Sequence, residues 1–125
     1  MNDSKKLAVW MDHSHAIIME LTSGPLLQHR IESKFNDEIK EASVRKGESL
    51  MHNKEQHELS AFYKQICNAI IGFNNVLLFG PTDAKVELLN ILNADSLFDK
   101  IKINIQTTDV MTENQMHAFV REYFV

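Results

Sequence analysis

The sequence predicts an α/β fold built on a mixed five-stranded sheet, three antiparallel strands followed by parallel ones, flanked by three main helices. Three observations lead there. Two short strand-like runs near the start are separated by the polar tetrapeptide Asp12-His13-Ser14-His15. An uninterrupted apolar run, Val76-Leu77-Leu78-Phe79, stops at Gly80-Pro81 and gives way to a helical pattern. Helical and strand-like periods then alternate to the end of the chain, as in parallel crossover units.

Taken in order, Leu7 to Met11 and Ala16 to Leu21 suit the two strands of a hairpin. A turn signal at Thr22-Ser-Gly-Pro25 follows, and Leu26 to Ser33 supplies a third strand, with Leu27, His29 and Ile31 on one face. From 34 to about 53 the pattern disappears, and a loop is expected. Near Lys54 a helix begins: Leu59, Phe62, Tyr63, Ile66, Cys67 and Ile70 form an apolar stripe, and Gly72 ends it as a C-cap.

The run at 76–79 reads as a strand covered on both faces. Pro81 cannot extend it, having no N–H, but suits a helix entrance, and Thr82 or Asp83 can accept a bond from the free amides of the first turn. Ala84, Leu88, Leu89 and Leu92 give this second helix its buried face. Ile103 and Ile105 mark a strand at about Lys102 to Thr107. In the last helix Thr112 and Gln115 match a capping box, with Met116, Phe119, Val120, Tyr123 and Phe124 as the buried face.

With 125 residues and 44% hydrophobic side chains the chain can bury a real core, and one domain spanning 1–125 is expected. Thirteen basic and 17 acidic residues give a formal net charge of −4, which argues against a general nucleic-acid binder and against DNA as partner. The only cysteine, Cys67, falls in the apolar stripe, so an internal disulfide is excluded and a buried inert thiol is expected. No apolar run approaches the ~20 residues of a bilayer span, so no membrane partner and a reduced, cytoplasmic setting are expected.

The residues offer little covalent chemistry. The junction Gly80-Pro81-Thr82-Asp83-Ala84-Lys85 lies where open α/β sheets bind ligands, yet it lacks the glycines and the Lys-Ser/Thr pair of a phosphate loop, and Asp83 repels phosphate. Its plain reading is a strand-to-helix turn. His52 and His57 are five apart, about 140° around a helix, so they are not a zinc pair. Serine nucleophile and cysteine–histidine signatures are lacking. The fold order matches ribonuclease H-like domains, and in nucleases of that fold carboxylates near the first strand help bind divalent ions. Asp12, Asp83 and Asp109 are therefore the alternative metal site, although Asp12 at a tight turn is explained by local hydrogen bonding.

The order of elements, the hairpin from Ala8 to Ile18, the strand ending Leu78-Phe79-Gly80-Pro81 with Lys85 four residues on, and the closing helix together resemble the central domain of the archaeo-eukaryotic peptide-chain release factor and Pelota superfamily. In that family the strand typically ends in Gly-Pro-Gly followed by a lysine, and Thr82 stands here at the second glycine. The family's release factors carry a Gly-Gly-Gln loop between the third strand and the long helix, whose glutamine acts at the peptidyl-tRNA ester. The matching text here is Lys46-Gly47-Glu48, where a carboxylate opposes a developing oxyanion. Pelota-like members also lack the motif and act in rescue of stalled ribosomes.

The resemblance implies a stand-alone, translation-associated binding protein contacting ribosome or tRNA without catalysis or cofactor. Its RNA-contacting residues are expected in and beside the loop, at Lys40, Arg45, Lys46, Gly47, Glu48 and Lys54. A metal-dependent nuclease and a homo-oligomeric interaction module are the alternatives.

Overall fold

The structure, a computed structural model, describes residues 5–22, 24–33 and 48–124, with backbone alone for 48–58. Its elements are β1 (Lys6–Met11), β2 (His15–Glu20), β3 (Leu27–Glu32), α1 (Glu48–Ile70), β4 (Asn75–Gly80), α2 (Ala84–Asn93), a short 3-10 helix (Ser96–Phe98), β5 (Lys102–Thr107) and α3 (Glu113–Tyr123). The five strands form one sheet in the order β3-β2-β1-β4-β5. β1 pairs antiparallel with β2, and β2 with β3, whereas β1–β4 and β4–β5 are parallel. This is the mixed sheet with three helices that the sequence predicts.

Alternation along the two central strands feeds two cores. Leu7, Val9, Met11, Val76 and Leu78 point to the face covered by α1 and α2, where they meet Phe62, Ile66, Ile70, Leu88 and Leu92. Ala8, Trp10, Leu77 and Phe79 point to the other face, where Met116 and Val120 of α3 cover them. Register is tightly specified, because a slip of one residue in β1 or β4 exchanges the two apolar sets. The edge strand β3 is almost wholly exposed and carries Arg30 and Glu32, side chains that discourage pairing with a further strand.

The apolar stripe of α1 is buried as the sequence implies, and Gly72, at φ +98°, lets the chain reverse after it. The expected loop at 34–53 is corrected at its end. α1 starts at Glu48 rather than near Lys54, so 48–53 are helical. The first turns carry few apolar residues and so show no amphipathic period, while Glu48 favours the positive end of the helix dipole. At 23 residues α1 is about 34 Å long against about 20 Å for a six-residue strand, and its first turns outreach the sheet. The remainder of the expected loop, 34–47, lies outside the described residues.

Candidate functional site at the carboxyl edge of the sheet

Because β1, β4 and β5 are parallel, their carboxyl ends share one edge, which gathers the hairpin turn, the strand-to-helix junction and the segment after β5. The hairpin turn is held by Asp12: its Oδ1 accepts the amides of Ser14 at 2.7 Å and His15 at 2.8 Å, and its N–H donates to the His15 carbonyl at 3.0 Å. The His15 imidazole lies 3.4 Å from the same carboxylate and against the Trp10 ring, with centroids 5.1 Å apart. Asp12 therefore has the local turn role that its chemistry suggests.

The junction is built by close approach. Gly80 has φ +150°, and a Cβ there would lie 2.2 Å from the carbonyl oxygen of Met11, so only glycine lets β4 end beside β1. The Gly80 carbonyl accepts the amide of Thr108 at 3.1 Å, tying in the segment after β5. At the start of α2 Asp83 occupies the N-cap position, but its side chain makes no capping bond. The Thr82 hydroxyl instead accepts the Ala84 amide at 3.2 Å. Lys85 is only 1% exposed, and its Nζ donates to the Thr82 carbonyl at 2.5 Å. Gly80, Pro81, Thr82 and Lys85 thus form one closed turn, with the lysine folded back over it.

Sequence reasoning did not find the most organised polar group at this edge. The Tyr63 hydroxyl of α1 donates to Glu87 Oε1 of α2 at 2.6 Å, and the His13 Nε2 of the hairpin turn lies 3.3 Å from Glu87 Oε2. Burial pushes the Tyr63 hydroxyl above the usual phenol range, and the bond to Glu87 and its negative charge add to that. Burial raises the Glu87 carboxyl, but the hydrogen bonds from Tyr63 and His13 and the charge of His13 outweigh it, so the net shift is downward. One signal was available: a tyrosine inside a buried helical stripe needs a partner for its hydroxyl.

Two polar atoms nearby are buried without a partner, Trp10 Nε1 and Thr108 Oγ1. Asp12, Asp83 and Asp109 follow β1, β4 and β5 at this same edge, but among the described residues no three His, Cys, Asp or Glu side chains are placed to share a metal ion. Of the expected RNA-contacting residues, Glu48 opens α1 and Lys54 lies in its second turn, while Lys40, Arg45, Lys46 and Gly47 lie outside the described residues. Cys67 is buried, its thiol pushed up by burial and then by the charge of Asp95, against a lowering by its own backbone hydrogen bond. Among the described residues, no helix is long and apolar enough to cross a membrane.

No protein-family model and no curated protein matches the sequence. Solved structures do match. Pelota from Archaeoglobus fulgidus overlays 99% of this chain with a TM-score of 0.63 at 9% identity, and Pelota from Thermoplasma acidophilum overlays 94% with a TM-score of 0.60 at 16% identity. The chain spans about a third of either protein, 32% in each case. Its fold is that of a domain making up about a third of these archaeal Pelota proteins.

Proposed function

We propose that this protein is a translation-associated binding protein that contacts the ribosome or tRNA and does not cleave an ester. The observation that carries this reading is the overlay of nearly the whole chain on two archaeal Pelota structures, at TM-scores of 0.63 and 0.60.

Absence of peptide release follows from the residues at 46–48. Where a catalytic loop would present glutamine to a developing oxyanion, this chain has Glu48, and the glutamate starts α1. The experiment is sedimentation of native protein with ribosomes on a sucrose gradient, at low salt and after translational stress. Co-sedimentation with ribosomal particles is expected, and confinement to the top fractions under both conditions overturns the reading. In a companion assay on ribosome-bound peptidyl-tRNA, the native protein should release no more peptide than buffer.

A further inference from the structure

The opposite edge of the sheet carries the other charge. Acidic side chains dominate the described part of the carboxyl edge, with Asp12, Asp83, Glu87 and Asp109 beside or following the strand ends, and Lys85 there is buried. At the amino edge, β1 begins at Lys5-Lys6 and β5 is entered through Lys100 and Lys102. Lys6, Asn75 and Lys102 occupy one row across three adjacent strands, so the two lysines flank Asn75 at about 10 Å from each other, two strand spacings.

These lysines are held but not neutralised. Asn74 ties both pairs together: its Oδ1 accepts the Lys5 amide at 2.9 Å, its N–H donates to the Lys5 carbonyl at 2.9 Å, and its carbonyl accepts the Lys102 amide at 2.9 Å. Lys5, Lys100 and Lys102 are exposed and Lys6 is half-buried. Among the described residues no ion pair involves any of the four. Glu20, Asp99 and Glu122 share this end of the molecule without pairing to them.

The surroundings suit a nucleic acid. The core under α3 includes no β5 residue, so Lys102, Asn104 and Gln106, which alternate onto that face, form a polar ledge along the outer strand. Beside it the Lys6 ammonium lies 5.9 Å from the Phe124 ring centroid, and Tyr123 packs edge-on against Phe124. Cations for phosphates, amides for base or sugar edges, and half-buried rings for stacking are the parts of a single-strand platform.

We infer that the amino edge of β1, β4 and β5, with the uncovered face of β5, binds the backbone of single-stranded RNA. This deepens the reading above and rests on it. The test is fluorescence anisotropy with a labelled single-stranded RNA of about 12 nucleotides, within the usual range of site sizes. Lys100→Glu with Lys102→Glu should weaken binding at least tenfold and flatten the log–log salt dependence by about 1.4, two contacts at about 0.7 each. Arg30→Glu with Lys64→Glu changes net charge equally at exposed sites elsewhere and should bind like native protein.

Native-like binding by the Lys100/Lys102 variant overturns the inference, as does equal weakening by both pairs, which would report net charge alone. Binding to anionic vesicles with none to RNA overturns it too, in favour of a membrane surface. If charge reversal disturbs folding, Lys100→Gln with Lys102→Gln asks the same question. Native protein that sediments with ribosomes but ignores the oligonucleotide sinks this inference alone. Failure in both assays sinks the proposed function with it.

Discussion

Gly80 and Lys85 are the residues on which the junction turns. A methyl group at Gly80 would meet the Met11 carbonyl at 2.2 Å, and φ +150° is unfavourable for any L side chain, so relief would require β1 and β4 to part. Gly80→Ala should cost about 3 kcal/mol or more, measured by urea unfolding. Lys85 presents a different balance. Its stem fills buried space and its ammonium satisfies one carbonyl, but a buried cation beside the positive end of a helix is costly. Lys85→Ala should lose about 2–3 kcal/mol through the cavity and the orphaned Thr82 carbonyl. Lys85→Met also orphans the Thr82 carbonyl but keeps the volume and relieves the buried charge, so it should lose clearly less than Lys85→Ala by the same measurement.

Among the elements, α3 depends most visibly on its own sequence. The Thr112 hydroxyl accepts the Gln115 amide at 3.2 Å, while the Gln115 side chain accepts the Thr112 amide at 2.9 Å. Thr112→Ala should therefore cost about 1 kcal/mol, and adding Gln115→Ala should cost less than it does alone, since the two bonds form one box. α1 and α2 are instead joined to the hairpin through Tyr63, Glu87 and His13. The folded Glu87 carboxyl sits below its ordinary 4.5, so its contribution is present above that pH and is lost as pH falls through the lower folded value. Because His13 and Glu87 are 44% and 47% exposed, solvent screening keeps the gain to about 0.5 kcal/mol. Glu87→Gln should remove that part of the acid dependence of stability, read by thermal melts over the acid range. Tyr63 titrates in the opposite sense: its raised hydroxyl supports the fold below the ordinary phenol value of 10.0 and ceases to as pH rises past it. Tyr63→Phe should blunt alkaline unfolding.

For the whole molecule, the sheet separates two chemically unlike edges. At the carboxyl edge Asp12 is engaged with turn amides and His15, and Glu87 with Tyr63 and His13, and among the described residues no metal-binding group is assembled. Millimolar Mg²⁺ or Mn²⁺ should consequently leave the melting temperature unchanged, since no ligand-linked stabilisation is expected, and Asp12→Asn should alter the melt identically with and without metal. A metal-dependent rise that Asp12→Asn abolishes would restore the nuclease alternative. At the amino edge, lysines with no ion pair among the described residues stand on a backbone tied by Asn74, the arrangement expected of a surface that meets a polyanion.

The sequence by itself determined the elements. Unbroken apolar runs at 7–11, 16–19 and 76–79 require strands with two covered faces, the 3.6-residue stripe from Leu59 to Ile70 requires a helix lying on them, and Thr112 with Gln115 encodes its own cap; each signal is complete within a single element. The tertiary structure alone decided what meets across the chain. Tyr63 and Glu87 are 24 residues apart, His13 and Glu87 are 74 apart, and Lys6 reaches the row of Lys102 only through the register of β1 with β4 and β4 with β5. The start of α1 at Glu48 was illegible because a polar helix end has no apolar period to display, and the burial of Lys85 because charge predicts exposure unless a neighbouring turn folds over it. Local preference is written in neighbouring residues; the sites depend on strand register, which is settled by the collective burial of both faces of the sheet.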